Sequence, residues 1–212
     1  MINLTKQFIF IKDTILLNAE IAWFELIDTQ KYFPVLVSQL SFSQIRPLVD
    51  PRFNAFVCLN GQQIVLDNQT IRCNYIPEAE IIDLIQFCSY TKHPIALYRT
   101  AKTEITQINE TVKSYQKQTK YDKLIEVVQF TNTKDVLLVK VFNELTRKDI
   151  LYETIFHERL SFQRIDSNTL ILGNLGYNEP EAIGFLKEKM RSFINEDETE
   201  IIRTEKQLLL YR

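Results

Sequence analysis

Residues Phe8–Asn18 read FIFIKDTILLN. An apolar run from Phe8 to Ile11 meets Lys12-Asp13-Thr14, and the apolar run resumes at Ile15. Aromatic and β-branched residues in such density fit a pleated, buried backbone. The pattern predicts a buried strand over residues 6–17 that meets a turn at Lys12–Thr14. Asp13 is then an acid at the end of a buried strand. Three readings stay open for it: an exposed or turn residue without chemistry, a residual general acid/base or Mg²⁺ ligand, or a hydrogen-bonding group for a ligand.

Outward from this stretch, AEIAWFELIDTQK (residues 19–31) spaces Ile21, Phe24, Leu26 and Ile27 as a helix does. FPVLVSQLS reads as a second strand ending at Ser38, and SQIRPLVD as a short helix or turn, with Ser38 as its cap or as a phosphate contact. FNAFVCLN is a third strand running into Asn60-Gly61, and QQIVLDNQTIRCNYI a hairpin turning at Asp67-Asn68. Strand, helix, strand at the start of a chain implies a parallel sheet, with ligand sites outside the carboxyl ends of the strands.

IPEAEIIDLIQFCSY predicts a helix with Pro77 at its first position and Glu78 and Glu80 in its first turn. HPIALYRT reads as a strand, and residues 101–120 as a polar, mostly exposed helix. LIEVVQFT, DVLLVKVFN, ILYETIF and FQRIDSNTLILGN read as further strands or a helix between strands. EPEAIGFLKEKMRSFI lines up Ala182, Phe185, Leu186, Met190 and Phe193 on one helical side, and the tail reads as one or two short strands. The middle block is therefore expected to be a separate α+β lobe, residues 77–172, inserted into a sheet domain made of residues 1–76 and 173–212.

At 212 residues, 45% hydrophobic and 25% charged, the chain has the make-up of a soluble globular protein with a full core. A net charge of −2 provides no global field for nucleic acid or an anionic membrane, so neither is expected as a partner. Lys120, Lys123, Lys134 and Lys140 lie among acids and read as solvated. No apolar run approaches the roughly 18 residues of a membrane span, and the N-terminus lacks a signal-peptide pattern. Cys58, Cys73 and Cys88 lack metal-type spacing and read as buried thiols of a reduced, cytoplasmic protein. His93 and His157 are too few for a metal site or a triad. Four glycines, where roughly 7% usage would give about fifteen, leave no Gly-rich phosphate loop.

The segment FVCLNGQQIVLDNQTIRCNYIPEAEIIDLIQFC resembles the entry into the cap domain of Cof-type haloacid dehalogenase-like (HAD) phosphatases: a strand ending in Asn-Gly, a hairpin, then a helix. FIFIKDTILLN falls where that family carries an apolar strand, Asp-x-Asp-Gly-Thr and Leu-Leu. PVLVSQLSFSQIRPL falls on its strand with Thr-Gly-Arg, and TLILGNLGYNEPEAIGFLKEKM is similar to the return from its cap. The resemblance implies an α/β fold: a three-layer, Rossmann-like parallel-sheet core with an inserted α+β cap.

It also implies a chemistry, phosphoryl transfer through an aspartyl-phosphate. The family's first Asp attacks, the second is acid/base, Ser/Thr and Lys hold the phosphoryl oxygens, and late acids help hold Mg²⁺. Matched position by position, the attacking Asp is Ile11, the second Asp is Asp13, and the Ser/Thr is Ser38. Gln39 and Leu40 replace Gly and Arg, and the Lys falls near Glu179–Pro180, so that charge is expected to be gone. The late acidic motif is missing, and the acids of NEDETE are expected ahead of the last strand, in a core that is incomplete at its C-terminus. Isoleucine cannot attack phosphorus, and losing one member of a catalytic unit removes on the order of 10⁴–10⁶-fold in kcat. Asp13 alone offers about 10²–10⁴-fold as an acid/base.

The expected function is thus a catalytically inactive relative kept as a binding or interaction module, with no cofactor. One alternative is a weak phosphatase for small phosphorylated metabolites, using Mg²⁺ with Asp13 as acid/base and Ser38 and Asn60 as phosphate contacts. Another is a small-ligand sensor in the cleft between cap and core. Tyr98, Tyr115 and Tyr121 are expected in packing or surface roles, or lining a pocket. A homodimer through the shortened core sheet is the expected partner, alongside a small phosphorylated ligand.

Overall fold

In the computed structural model the described residues are 6–18, 27–143, 149–191, 194–202 and 207. They fall in two units: residues 1–72 with 179–212, and residues 73–178 inserted between them.

In the first unit the opening apolar run forms β1 (Lys6–Lys12), which stops at Lys12 and not at residue 17. The resumed run is a short helix, α1 (Asp13–Asn18), with Asp13 in its first turn. Two leucines favour helix, and an acid at a helix start suits the dipole there. The helix expected over residues 19–31 lies largely outside the described residues, while residues 27–31 form a turn in which Lys31 and Tyr32 donate to the Asp28 carbonyl. The chain continues as β2 (Tyr32–Val37), α2 (Phe42–Ile45), β3 (Ala55–Cys58), β4 (Gln63–Leu66) and β5 (Gln69–Cys73). Asp67 and Asn68, at φ 50° and 62°, make the β4–β5 turn. That is the left-handed pair a two-residue hairpin needs.

After the inserted unit come α6 (Glu179–Met190) and β12 (Ile194–Ile202). The sheet order is β12-β1-β2-β3-β4-β5, with β12, β1, β2 and β3 parallel and β4 antiparallel to β3. Strand alternation puts Phe8, Phe10, Val35, Val37, Ala55 and Val57 on one face, where Ala182, Ile183, Leu186 and Met190 of α6 cover them. Ile9, Ile11, Leu36 and Phe56 occupy the other face and are also fully buried. The acids of NEDETE do not precede the last strand. They lie within β12, whose register runs from Lys6↔Ile194 to Ile11↔Ile202 with a shift between Gln7 and Phe8 that leaves Glu196, Asp197 and Glu198 without a β1 partner in the ladder. Ladder bonds are made by backbone, and an edge position admits charged residues.

The inserted unit holds α3 (Glu78–Thr91), β6 (Ile95–Tyr98), β7 (Thr103–Ile105), α4 (Glu110–Gln118), β8 (Ile125–Glu126), β9 (Leu138–Phe142), α5 (Asp149–Phe156), β10 (Leu160–Arg164) and β11 (Thr169–Asn174). Its sheet order is β10-β11-β9-β6-β7-β8. Ile81, Leu84 and Cys88 of α3 and Tyr152 and Phe156 of α5 bury Ile95, Leu97, Val139, Val141, Leu170 and Leu172 on one face.

Several expectations change here. Pro77 is the N-cap of α3 and not its first residue. The long helix over 101–120 is a short strand, β7, paired with β6, and then α4, whose start is fixed by Asn109 accepting from the Val112 amide. LIEVVQFT yields only the two-residue β8, and ILYETIF is the helix α5. Lys140 is not solvated. It is 0% exposed and paired with Asp122 at 3.0 Å, because its strand position points it away from the Val139–Val141 face and beneath Tyr115. Tyr98 and Tyr115 are buried hydrogen-bonding residues, each donating to Asp122.

A Cβ built at Gly184, on the open side of α6, meets nothing within 4 Å, whereas Leu186 is fully buried. Gly184→Ala is expected to stabilise the protein by about 0.5–1 kcal/mol. Leu186→Ala is expected to cost about 2–5 kcal/mol. Urea midpoints check both, and a Gly184→Ala midpoint below the parent contradicts the placement of α6.

Candidate functional site

The parallel strands β1, β2 and β3 end side by side, since Lys12 pairs with Val37 and Val37 with Val57. The next residues, Asp13, Ser38 and Cys58, therefore gather at one end of the sheet. The Ser38 amide donates to the Val57 carbonyl at 2.9 Å, which fixes the serine at the tip of β2. Its hydroxyl donates to Asp13 Oδ2 at 2.5 Å and accepts from the Leu40 amide at 2.9 Å. Backbone amides of Thr14 and Gln39 also donate to the Asp13 carboxylate.

Asp13 is buried, not exposed. Burial raises its pKa above the ordinary 3.8, against the pull of the Ser38 hydroxyl, the two amides and the Lys12 charge. Burial and the neighbouring Asp13 charge likewise push the Cys58 thiol up, so that it stays protonated. Such a thiol is not a nucleophile. Ser38 does not cap α2. That place belongs to Ser41, whose amide and hydroxyl both reach Gln44 Oε1 at 3.2 Å.

Ile11 is 0% exposed, between Leu36 of β2 and Ile202 of β12. The attacking position of the resemblance is thus the interior of a sheet. Glu179 stands where the resemblance places a lysine. Lys12 bonds Glu179, the first residue of α6, so the positive end comes from β1 and the negative end from α6. Nothing in residue spacing pointed to this pair. The sole hint was that Lys12 sits beside Asp13 while Glu179 stands where a lysine was expected. Asn60 has φ 55° and ψ 34°, between Leu59 and Gly61, which also have positive φ. The turn lies against α6. Tyr98 and Tyr115 lie in the other unit and Tyr121 there stacks under Lys120, 4.8 Å from its ring.

Among the described residues no three His, Cys, Asp or Glu side chains gather to hold a metal ion. Asp13 brings one carboxylate already engaged by Ser38 and two amides, and Glu179 is held by Lys12. Magnesium is usually bound through one or two carboxylates together with waters and substrate phosphates, and these carboxylates already have other partners. No described helix is long and apolar enough to cross a membrane. What the arrangement can do chemically is hold a proton: a desolvated carboxyl keeps its proton to higher pH than a free aspartate, here against the pull of its hydroxyl partner.

A family model described as haloacid dehalogenase-like hydrolase matches residues 20–197. No curated protein matches the chain. Among solved structures, a haloacid dehalogenase-like hydrolase from Bacteroides thetaiotaomicron is similar at TM-score 0.76 and 18% identity, over 92% of this chain and 80% of that one. A haloacid dehalogenase-like hydrolase from B. subtilis superposes at TM-score 0.76 and 10% identity, over 96% and 86%. A HAD subclass IIB sugar phosphatase superposes at TM-score 0.72 and 15% identity, over 92% and 80%. At these identities the structures speak to fold.

The raised pKa of Asp13 has a testable sign. Between the unfolded value near 3.8 and the raised folded value, the folded state holds more protons, so the contribution of Asp13 is largest below that window and falls as pH rises through it. The stability difference between the parent and Asp13→Asn is therefore expected to move in the parent's favour as pH falls from 7 towards 4. Urea titrations at several pH values read it, and a shift the other way means that the carboxylate is stabilised as an anion.

Proposed function

Since the chain belongs to the haloacid dehalogenase-like hydrolase family, whose model spans residues 20–197, we propose that it is a non-hydrolytic member that uses the family scaffold to bind. The observation that supports this reading is the complete burial of Ile11, the residue that the resemblance matches to the family's attacking carboxylate. Covalent phosphoryl transfer needs a nucleophile and positive charge free to meet developing negative charge. At the β1 tip the nucleophile is an alkyl group, and the nearest cation, Lys12, is engaged by Glu179. The ligand class that suits the remaining Asp13–Ser38 pair is a small phosphate ester, met by a hydroxyl and by a carboxyl whose pKa burial raises. β12 and β5 are the edges of the first sheet, and self-association through such an edge belongs to the same reading.

A second reading is a weak phosphatase acting on small phosphorylated metabolites. Family membership supports it, as do the phosphatases among the similar structures, and those comparisons weigh more on its side than on the first. At the site, Asp13 beside Ser38 is what favours it, because a carboxyl whose pKa burial raises is better placed to act as a general acid towards a leaving oxygen.

Turnover of a general phosphate ester with Mg²⁺ separates the two. The first reading expects no rate above background and no change in Asp13→Asn. A rate that disappears in Asp13→Asn while the protein stays folded establishes the second. Sedimentation at micromolar concentration is expected to show a dimer, and a clean monomer removes the edge-pairing proposal.

A further inference from the structure

Helix α4 is nine residues long and buries only Val112 and Tyr115. A helix this short does not stand alone in water, and two side chains are a narrow apolar footing. The rest of its hold on the inserted unit is polar. Asp122 Oδ2 accepts from Tyr98 at 2.6 Å, from Tyr115 at 2.6 Å and from Lys140 at 3.0 Å. Lys140 also donates to the Tyr115 hydroxyl at 2.6 Å. Its ammonium lies 4.5 Å and 5.1 Å from the centres of the Tyr98 and Tyr115 rings. Tyr98 comes from β6, Lys140 from β9, Tyr115 from α4, and Asp122 from the segment that follows α4.

Both ends of the charge pair are 0% exposed. Burial lowers the affinity of Lys140 for its proton, yet Asp122 and Tyr115 outweigh this and hold the amine above the ordinary lysine range. A buried ion pair gives good stability only while every one of its bonds is made, so removal of a single partner is felt by all. Alongside, the seat of α4 is imperfect. Thr169 is fully buried, its hydroxyl makes no hydrogen bond among the described residues, and it lines a polar cleft of about 40 Å³ with Ser114 and Gln118 of α4. The cleft opens to solvent beside α4, between it and the Asp166–Thr169 segment.

We propose that α4 is a latch, closed on the β6–β9 face by the Asp122–Lys140–Tyr115–Tyr98 cluster and able to open as one piece while the rest of the unit stays folded. Opening uncovers an amine, a carboxylate and a phenol that the closed state keeps from water.

Hydrogen exchange on the full chain tests this. Tyr115→Phe removes the hydroxyl shared by Asp122 and Lys140 and leaves the ring on Phe142, 5.1 Å between centres. Exchange of the Glu110–Gln118 amides is expected to rise about tenfold or more, with Glu78–Thr91 and Leu138–Phe142 unchanged. Acetylation of Lys140 is expected to accelerate in parallel. An unchanged α4, or an equal rise in α3 and α4, overturns the proposal. Should the variant not fold, native exchange of the parent at low urea decides. Earlier exchange of α4 than of α3 and β9 supports the latch, and exchange of all three together refutes it.

Discussion

A parallel strand in a sheet covered on both faces must be apolar on both of them, because no water reaches either one. β1 meets that condition between β12 and β2, with Phe8, Ile9, Phe10 and Ile11 all buried. Everything at the tip depends on where this strand ends. Its last pairs align Lys12 with Val37, and that alignment brings Asp13 to Ser38. Had the strand run on as the apolar pattern suggested, Asp13 would be a ladder residue. The chain turns into α1 instead, and the carboxyl is left at the sheet's end, desolvated and met by two amides and a hydroxyl.

On the proposed non-hydrolytic reading, that geometry accounts for how a hydrolase scaffold keeps its architecture with Ile11 at the end of β1. An isoleucine inside a sheet contributes apolar burial that a carboxylate at the same place would forfeit, since an unpaired buried charge is costly. The charges that remain settle locally. Lys12 and Glu179 join the start of α6 to the end of β1, and both are partly exposed, so their pair contributes little stability while fixing the position of the helix. In the inserted unit the balance differs, because Lys140 and Asp122 are wholly out of water and only a complete set of bonds makes them tolerable.

Much of the fold was legible because it rests on local patterns. The β1 alternation, the left-handed Asp67-Asn68 turn and the acidic start of α3 each carry a physical cause within a few residues. The order of strand, hairpin and helix led to an expected lobe over 77–172, where the structure has a compact unit over 73–178. The misses were of another kind. Val139 and Val141 advertise a buried strand face, and Lys140 between them was read as solvated because a sequence does not say what covers the opposite face. Its partners Asp122, Tyr115 and Tyr98 lie up to 42 positions away along the chain, by subtraction of 98 from 140. The Lys12–Glu179 bond spans 167 positions and was invisible for the same reason. Asp13 was legible as a candidate, but its burial was not, since that depends on strands brought in from β2 and β3.

The account stands on the absence of an attacking carboxylate at the end of β1. The direct measurement is intact mass after incubation with a phosphoryl donor and Mg²⁺, followed by an acid quench that preserves acyl phosphates. The account predicts an unchanged mass. A phosphoryl adduct that maps to Asp13, or to any other carboxylate of the first unit, contradicts it.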